Sequence, residues 1–290
     1  MSEQIHKQIL DDIMDDFDQM LESSSKVLEN TIANRILATT TVDELLELRL
    51  EVDRDFQNII LNSIREFMPE LDAIARDTIA NTPGEVSQTD NRVAAELKAQ
   101  AYARLNEQVT TARENVNTEI VVGALGGYAL ATVAQNARHV ISGLMITVDD
   151  VEITRLQNKI RRLRAAESSA SEEINALMRQ LRNKFQNVSV GGGMYQSVSA
   201  EAHDMVMDFD GVFTIHRAKQ AGLNRFRYSG TLVANSRDFC IQHVGKTYTE
   251  EEIRRIWSTQ SWSGKRAGDP FVVRGGERCR HFFIPVGEGE

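Results

Sequence analysis

The stretch Thr41–Phe67, TVDELLELRLEVDRDFQNIILNSIREF, decides the fold class. Its first four residues form a capping box, in which the Thr41 oxygen accepts from the amide three residues on while Glu44 reaches back. Behind the box, Leu45, Leu48, Val52, Phe56, Ile60, Ile64 and Phe67 recur at three- and four-residue intervals, laying one apolar stripe along a helix. Such a stripe is stabilised mainly by packing against other elements, and its neighbours in the chain read as helices too. Upstream, Ile5, Ile9, Ile13, Phe17, Met20, Leu21, Val27 and Leu28 repeat the pattern with acids between them. Ser23-Ser24-Ser25 marks a point where that first helix is expected to weaken or kink. Downstream, the stripe runs towards Pro69, helix continues to Ala80, and Asn81-Thr-Pro-Gly84 ends it. A third helix is predicted from about Asn91 through AAELKAQAYARL.

The most apolar run, Ile120–Ala134, is too short to span a bilayer. Its Gly123, Gly126 and Gly127 either let two helices approach closely or, when exposed, meet lipid. From Asp149 a heptad-like seam follows, Ile153, Leu156, Ile160 and Leu163, then Ile174, Leu177, Leu181 and Phe185, flanked by Lys159, Arg161, Arg162 and Arg164. Gly191-Gly-Gly193 reads as a hinge. The expectation is mainly α: a long helical bundle or arm over 1–190, and a compact α+β module over 194–290. Within that module, Thr249-Glu-Glu-Glu252 opens a capped helix ahead of Ile253, Ile256 and Trp257.

Charge separates the halves. Residues 1–150 hold 26 acids and 12 bases, whereas residues 151–290 hold 16 acids and 21 bases, so the C-terminal half is the side suited to an acidic partner. The chain opens with acids where a signal peptide would be apolar, and it has only two cysteines, so synthesis in a reducing cytoplasm is expected.

Those cysteines sit in two short pairs, Cys240-Ile-Gln-His243 and Cys279-Arg-His281. Cys240, His243, Cys279 and His281 are the donor types of a tetrahedral zinc site, and a small module would gain stability from one. Buried free thiols and a disulfide are the alternatives. A Cys/His nucleophile would need an orienting third group and an oxyanion site, and the nearby acids Asp238 and Asp269 stand at no telling spacing. No Walker loop, dinucleotide fingerprint or HExxH occurs, so no catalytic activity is expected.

Several short motifs recur in order along residues 211–286. They are Arg217-Ala218 with Ala221-Gly222, then Tyr228 and Gly230, then Ser236, Arg237, Cys240, Gly245 and Lys246, then Cys279-Arg280-His281. In that order and spacing the region resembles the C-terminal part of the phage head-morphogenesis, or minor head, protein family. Many members carry a second cysteine where His243 and His281 stand here. The resemblance implies a virion component made in the host cytoplasm and placed at or near the portal vertex. It would contact portal subunits, other virion proteins and packaged DNA, in several copies within a symmetric assembly. Arg225, Arg227, Lys265, Arg266, Arg274, Arg278 and Arg280, interleaved with aromatics, are the candidate phosphate contacts, or else a basic rim around an ordinary core. The alternatives are an internal protein ejected with the genome, whose Gly-Ala run would touch membrane, and a metal-dependent nuclease.

Overall fold

A computed structural model describes residues 3–143, 193–233, 236–262, 264–276 and 278–287. The protein is mainly α, with a small three-stranded antiparallel sheet in its C-terminal region. Helix α1 (Glu3–Ala38) runs unbroken through the three serines. Ser24 donates outward to Ser63 Oγ at 3.1 Å and Ser25 is buried, so the expected kink does not form. Helix α2 (Val42–Asp55) carries both halves of the Thr41/Glu44 box. Its stripe continues through a π-helical turn at Phe56–Leu61, α3 (Asn62–Phe67), a 3-10 turn at Met68–Glu70 around Pro69, and α4 (Leu71–Asn81). All seven stripe residues from Leu45 to Phe67 are buried.

Helix α5 (Gln88–Leu125) starts three residues before the predicted Asn91, behind a second capping box formed by Ser87 and Asp90. The chain then turns at Gly126-Gly127, where Gly127 has φ +64°, and α6 (Leu130–Ser142) folds back. Val133 lies so close to Gly123 that a methyl group there would collide with it. The Gly-Ala run is thus a close helix contact, and no helix among the described residues is long and apolar enough to cross a membrane. The heptad seam, its basic flank and Gly191-Gly192 lie outside the described residues. Gly193 packs directly on the backbone of Gly143, so the two ends of the described chain meet there.

Helix α7 (Met194–Gln220) joins two cores. Met194, Val198, Ala202, Met205, Phe209 and Phe213 belong to the bundle core, while Ala218 belongs to the second core with Phe226, Tyr228, Trp257, Phe271 and Phe283. Strand β1 (Arg225–Ser229) is central, between β2 (Thr247–Thr249) and β3 (Phe282–Val286). The register sets Tyr228 opposite Phe283, and the period-2 alternation of β3 sends Phe283 to the second core and Phe282 and Ile284 to the bundle core. Strand β3 is buried on both faces. Helices α8 (Asp238–His243), α9 (Glu250–Thr259) and α10 (Pro270–Val273) complete the module.

Buried polar ties lock module to bundle. Arg217 of the Arg-Ala motif is 1% exposed and donates to Asp90 at 2.9 Å and to the carbonyls of Thr82, Gly84 and Glu85. His216 holds the other oxygen of Asp90 at 2.9 Å. The Asp90 that closes the helix box therefore also anchors α7; burial would raise its carboxyl, but the Ser87 hydrogen bonds, with the His216 bond and the Arg217 charge, hold it below the usual carboxylate range.

Candidate metal centre

Three segments bring the site together. Tyr228 comes from the central strand, Cys240 from the middle of α8, and Cys279 and His281 from the turn before β3. That turn doubles back through Arg274 (φ 46°), Gly276 (φ +107°) and Arg278 (φ 52°), and it aims the Gly275 N–H at Cys279 Sγ, 3.3 Å away. Gly275 has to be glycine here: a Cβ would stand 2.5 Å from Cys240 Sγ and 2.8 Å from Cys279 Sγ.

The Tyr228 hydroxyl lies 3.6 Å from Cys240 Sγ and 3.4 Å from Cys279 Sγ. His281 stacks on the Tyr228 ring, with centroids 5.4 Å apart, and places Nδ1 3.4 Å from Cys279 Sγ. The ligand atoms of Cys240, Cys279 and His281 all lie within 4.8 Å of one another, and all three residues are buried. Bonds of about 2.3 Å to sulfur and 2.0 Å to nitrogen put two tetrahedral ligands about 3.5 Å apart, so the Cys279–His281 spacing suits a shared ion. His281 Nε2, the nitrogen that an ion shared through Nδ1 would not engage, is buried and finds no hydrogen-bond partner among the described residues. This cluster can hold a metal ion.

The two sulfurs are unequal. The hydrogen bond from Cys240 holds the Cys279 thiol well below its usual range, against burial and with further help from His281 and Tyr228. The same bond to Cys279, with burial, pushes Cys240 up. Both cysteines are free rather than bridged. Burial, with the neighbouring sulfurs, keeps Tyr228 protonated and able to donate to them.

His243 does not join the cluster. Its Nε2 faces Gln260 Oε1 at 3.2 Å and its Nδ1 the Tyr248 hydroxyl at 2.8 Å, with the ring 4.4 Å from Phe239 between centroids. With Oε1 accepting, Nε2 carries the proton and Nδ1 accepts from Tyr248, so both nitrogens are engaged. The expected set of four therefore becomes three. Cys279 and His281 lie in the turn before β3, which begins at Phe282.

The predicted phosphate contacts separate. Arg274 is fully buried and donates to the Met207 carbonyl and to Asp208 at 3.3 Å, which removes it from any surface a phosphate could reach. Arg266 pairs with Asp204 at 3.1 Å, and Lys265 donates to the Trp257 and Gln260 carbonyls beside the Trp262 ring. Arg225 and Arg227 are half-buried along β1. Arg278 and Arg280 are exposed, and they line an open cleft of about 720 Å³ together with Lys7, Asp11, Arg237 and the metal-ligand candidates Cys240, Cys279 and His281.

Nothing in the sequence marked Gly275 as a packing requirement. Sequence reasoning missed Lys7 and Asp11 altogether, because nothing local in α1 signals a cleft closed by residues about 230 positions away. Comparison with protein-family models, curated protein sequences and solved structures finds no match for this chain.

Proposed function

We propose that the chain is a structural, non-enzymatic component of a phage virion, a minor head protein working at or near the portal vertex. In this reading the helical bundle serves contacts with portal and other virion proteins in a symmetric, multi-copy assembly. One zinc ion at Cys240, Cys279 and His281 closes the C-terminal module, and exposed basic residues can meet packaged DNA. The supporting observation is a convergence. Tyr228, Gly230, Cys240, Cys279 and His281, five of the residues on which the family resemblance rests, are scattered over the sequence yet meet at one buried point. Gly230 (φ +138°) belongs to it, because a Cβ there would come 2.8 Å from the His281 ring. Two sulfurs and one imidazole are donors suited to zinc.

The test joins metal analysis of the purified, reduced protein to a pull-down with the cognate portal protein. One zinc per chain and a stable portal complex are expected. Failure to capture portal sinks the head-protein reading, whereas portal capture without zinc sinks only the metal. A second reading, a metal-dependent nuclease, draws on the cleft beside three protein ligands, the number that catalytic zinc sites supply. Metal-dependent DNA cleavage that disappears in His281→Ala would decide for it.

A further inference from the structure

The cleft over Cys279 and His281 is walled by cations from three parts of the chain: Lys7 on α1, Arg237 just before α8, and Arg278 and Arg280 in the turn before β3. Asp11 is the one carboxylate among the described lining residues, and it is drawn towards Lys7, 2.7 Å from Nζ, while Arg280 stays 4.0 Å away. The Arg280 side chain is 55% exposed, and the Arg278 side chain has no ion-pair partner among the described residues. Elsewhere in the module, Arg254, Arg266 and Arg274 are paired with acids. Four cations against one described carboxylate therefore face this concavity, where low-dielectric walls strengthen attraction for an anion.

Size narrows the ligand. About 720 Å³ falls in the range of roughly 300–1,000 Å³ typical of small-molecule sites. A duplex backbone, with a charge about every 1.7 Å along a rod, suits a basic stripe better than a pocket. The inner wall sharpens the choice. A divalent ion held by two cysteine thiolates and a neutral imidazole has its charge balanced and offers a Lewis-acidic position on that wall.

We propose that this cleft binds a small phosphate-bearing ligand, its oxygens held by Arg278, Arg280 and Lys7 and reaching the metal held by Cys240, Cys279 and His281. The proposal rests on the zinc reading given above. The phosphate can be free or carried on a nucleotide, and the two sources share the same contacts.

The experiment loads the full chain with Co2+ in place of zinc. Inorganic phosphate, a nucleoside monophosphate and a single-stranded oligonucleotide are then titrated in separate arms, with the cobalt absorption bands and calorimetry as readouts. Saturable one-to-one binding that shifts the cobalt spectrum is expected with phosphate, with the nucleotide, or with both, and the tighter arm names the source. Arg278→Gln and Arg280→Gln, both at exposed positions, should each weaken binding about tenfold while leaving the ligand-free cobalt spectrum unchanged. Asp11→Asn should tighten it.

A silent cobalt spectrum in both small-ligand arms, or equal affinity in the Arg278→Gln/Arg280→Gln double variant, would overturn the proposal. So would binding of the oligonucleotide alone. A chain that takes up no cobalt at all removes the zinc reading first and this proposal with it, so the two failures are told apart before any phosphate is added.

Discussion

The bundle and the C-terminal module each bury a histidine, and the two are surrounded in opposite ways. His6 on α1 is 1% exposed and sits between two carboxylates, with Nδ1 2.7 Å from Asp77 and Nε2 3.0 Å from Asp210. Burial alone would lower its pKa, but the charges and hydrogen bonds of Asp210 and Asp77 outweigh that and raise it to about 10. His281 is 6% exposed and faces a sulfur with one nitrogen, while its other nitrogen is buried without a partner. A buried polar group with every contact made holds a fold together. One with a contact left over, beside two cysteines and a cleft, is where a ligand gains most.

The largest expected effect breaks the saturated member of the pair. His6→Leu leaves Asp77 and Asp210 buried without their cation, and removing one partner of such a group costs roughly 3–5 kcal/mol, readable by urea denaturation at pH 7. The wild type should show the matching pH dependence. A raised native pKa means that the folded chain holds a proton which the unfolded chain releases above about pH 6.5. The stabilisation is complete below pH 6.5 and falls by up to about 1.4 kcal/mol per pH unit as pH rises towards 10. A flat profile over that window in the wild type would show that His6 is not charged.

The next effect breaks the unsaturated member through packing. Gly275→Ala drives a methyl between Cys240 Sγ, Cys279 Sγ and the Tyr228 hydroxyl, and overpacking of this kind costs roughly 1–3 kcal/mol. Bound zinc should disappear from metal analysis together with that loss. Cys240→Ser and Cys279→Ser should each also release the metal and lower the melting temperature, because a ligand bound only to the folded state adds about 2.7 kcal/mol at a hundredfold excess over Kd. Since Cys240 keeps its proton in the metal-free protein, metal uptake releases that proton, and apparent affinity should rise with pH. Full zinc retention in Gly275→Ala would place the metal elsewhere.

How much of this was legible in the sequence follows the range of the forces involved. The Thr41/Glu44 and Thr249/Glu252 boxes and the Leu45–Phe67 stripe are local patterns, and each forms as read. Ser87/Asp90 escaped notice because its aspartate is shorter than the usual box glutamate, although the backbone bonds are the same. The serine run misled, since Ser24 gives its hydroxyl to Ser63 across the bundle where a bare helix would have turned it on its own carbonyls. At the site, cysteine and histidine spacing announced metal-binding chemistry. Which histidine joins the cluster follows from Tyr228, Tyr248 and Gln260, neighbours that only the folded chain supplies. Arg274 read as a surface cation because nothing local reveals the buried Asp208 that it meets.

The smallest expected effect tests that choice of histidine. His243 is buried like the other two, but it is neutral and doubly hydrogen-bonded: burial lowers its pKa, with the nearby Lys246 adding to the shift and the Gln260 bond opposing it. The pH slope is therefore opposite to that of His6. With the native pKa depressed, its contribution is present above pH 6.5 and fades as pH falls below that value and the unfolded state takes up a proton first. His243→Leu removes two hydrogen bonds to half-exposed partners while keeping an apolar body against Phe239, a loss of about 1–2 kcal/mol. Zinc stoichiometry should be unchanged. If it fell to zero while the module stayed folded, the Cys240–His243 pair would be the ligand unit after all, and the Tyr248 and Gln260 bonds would have to give way when the metal enters.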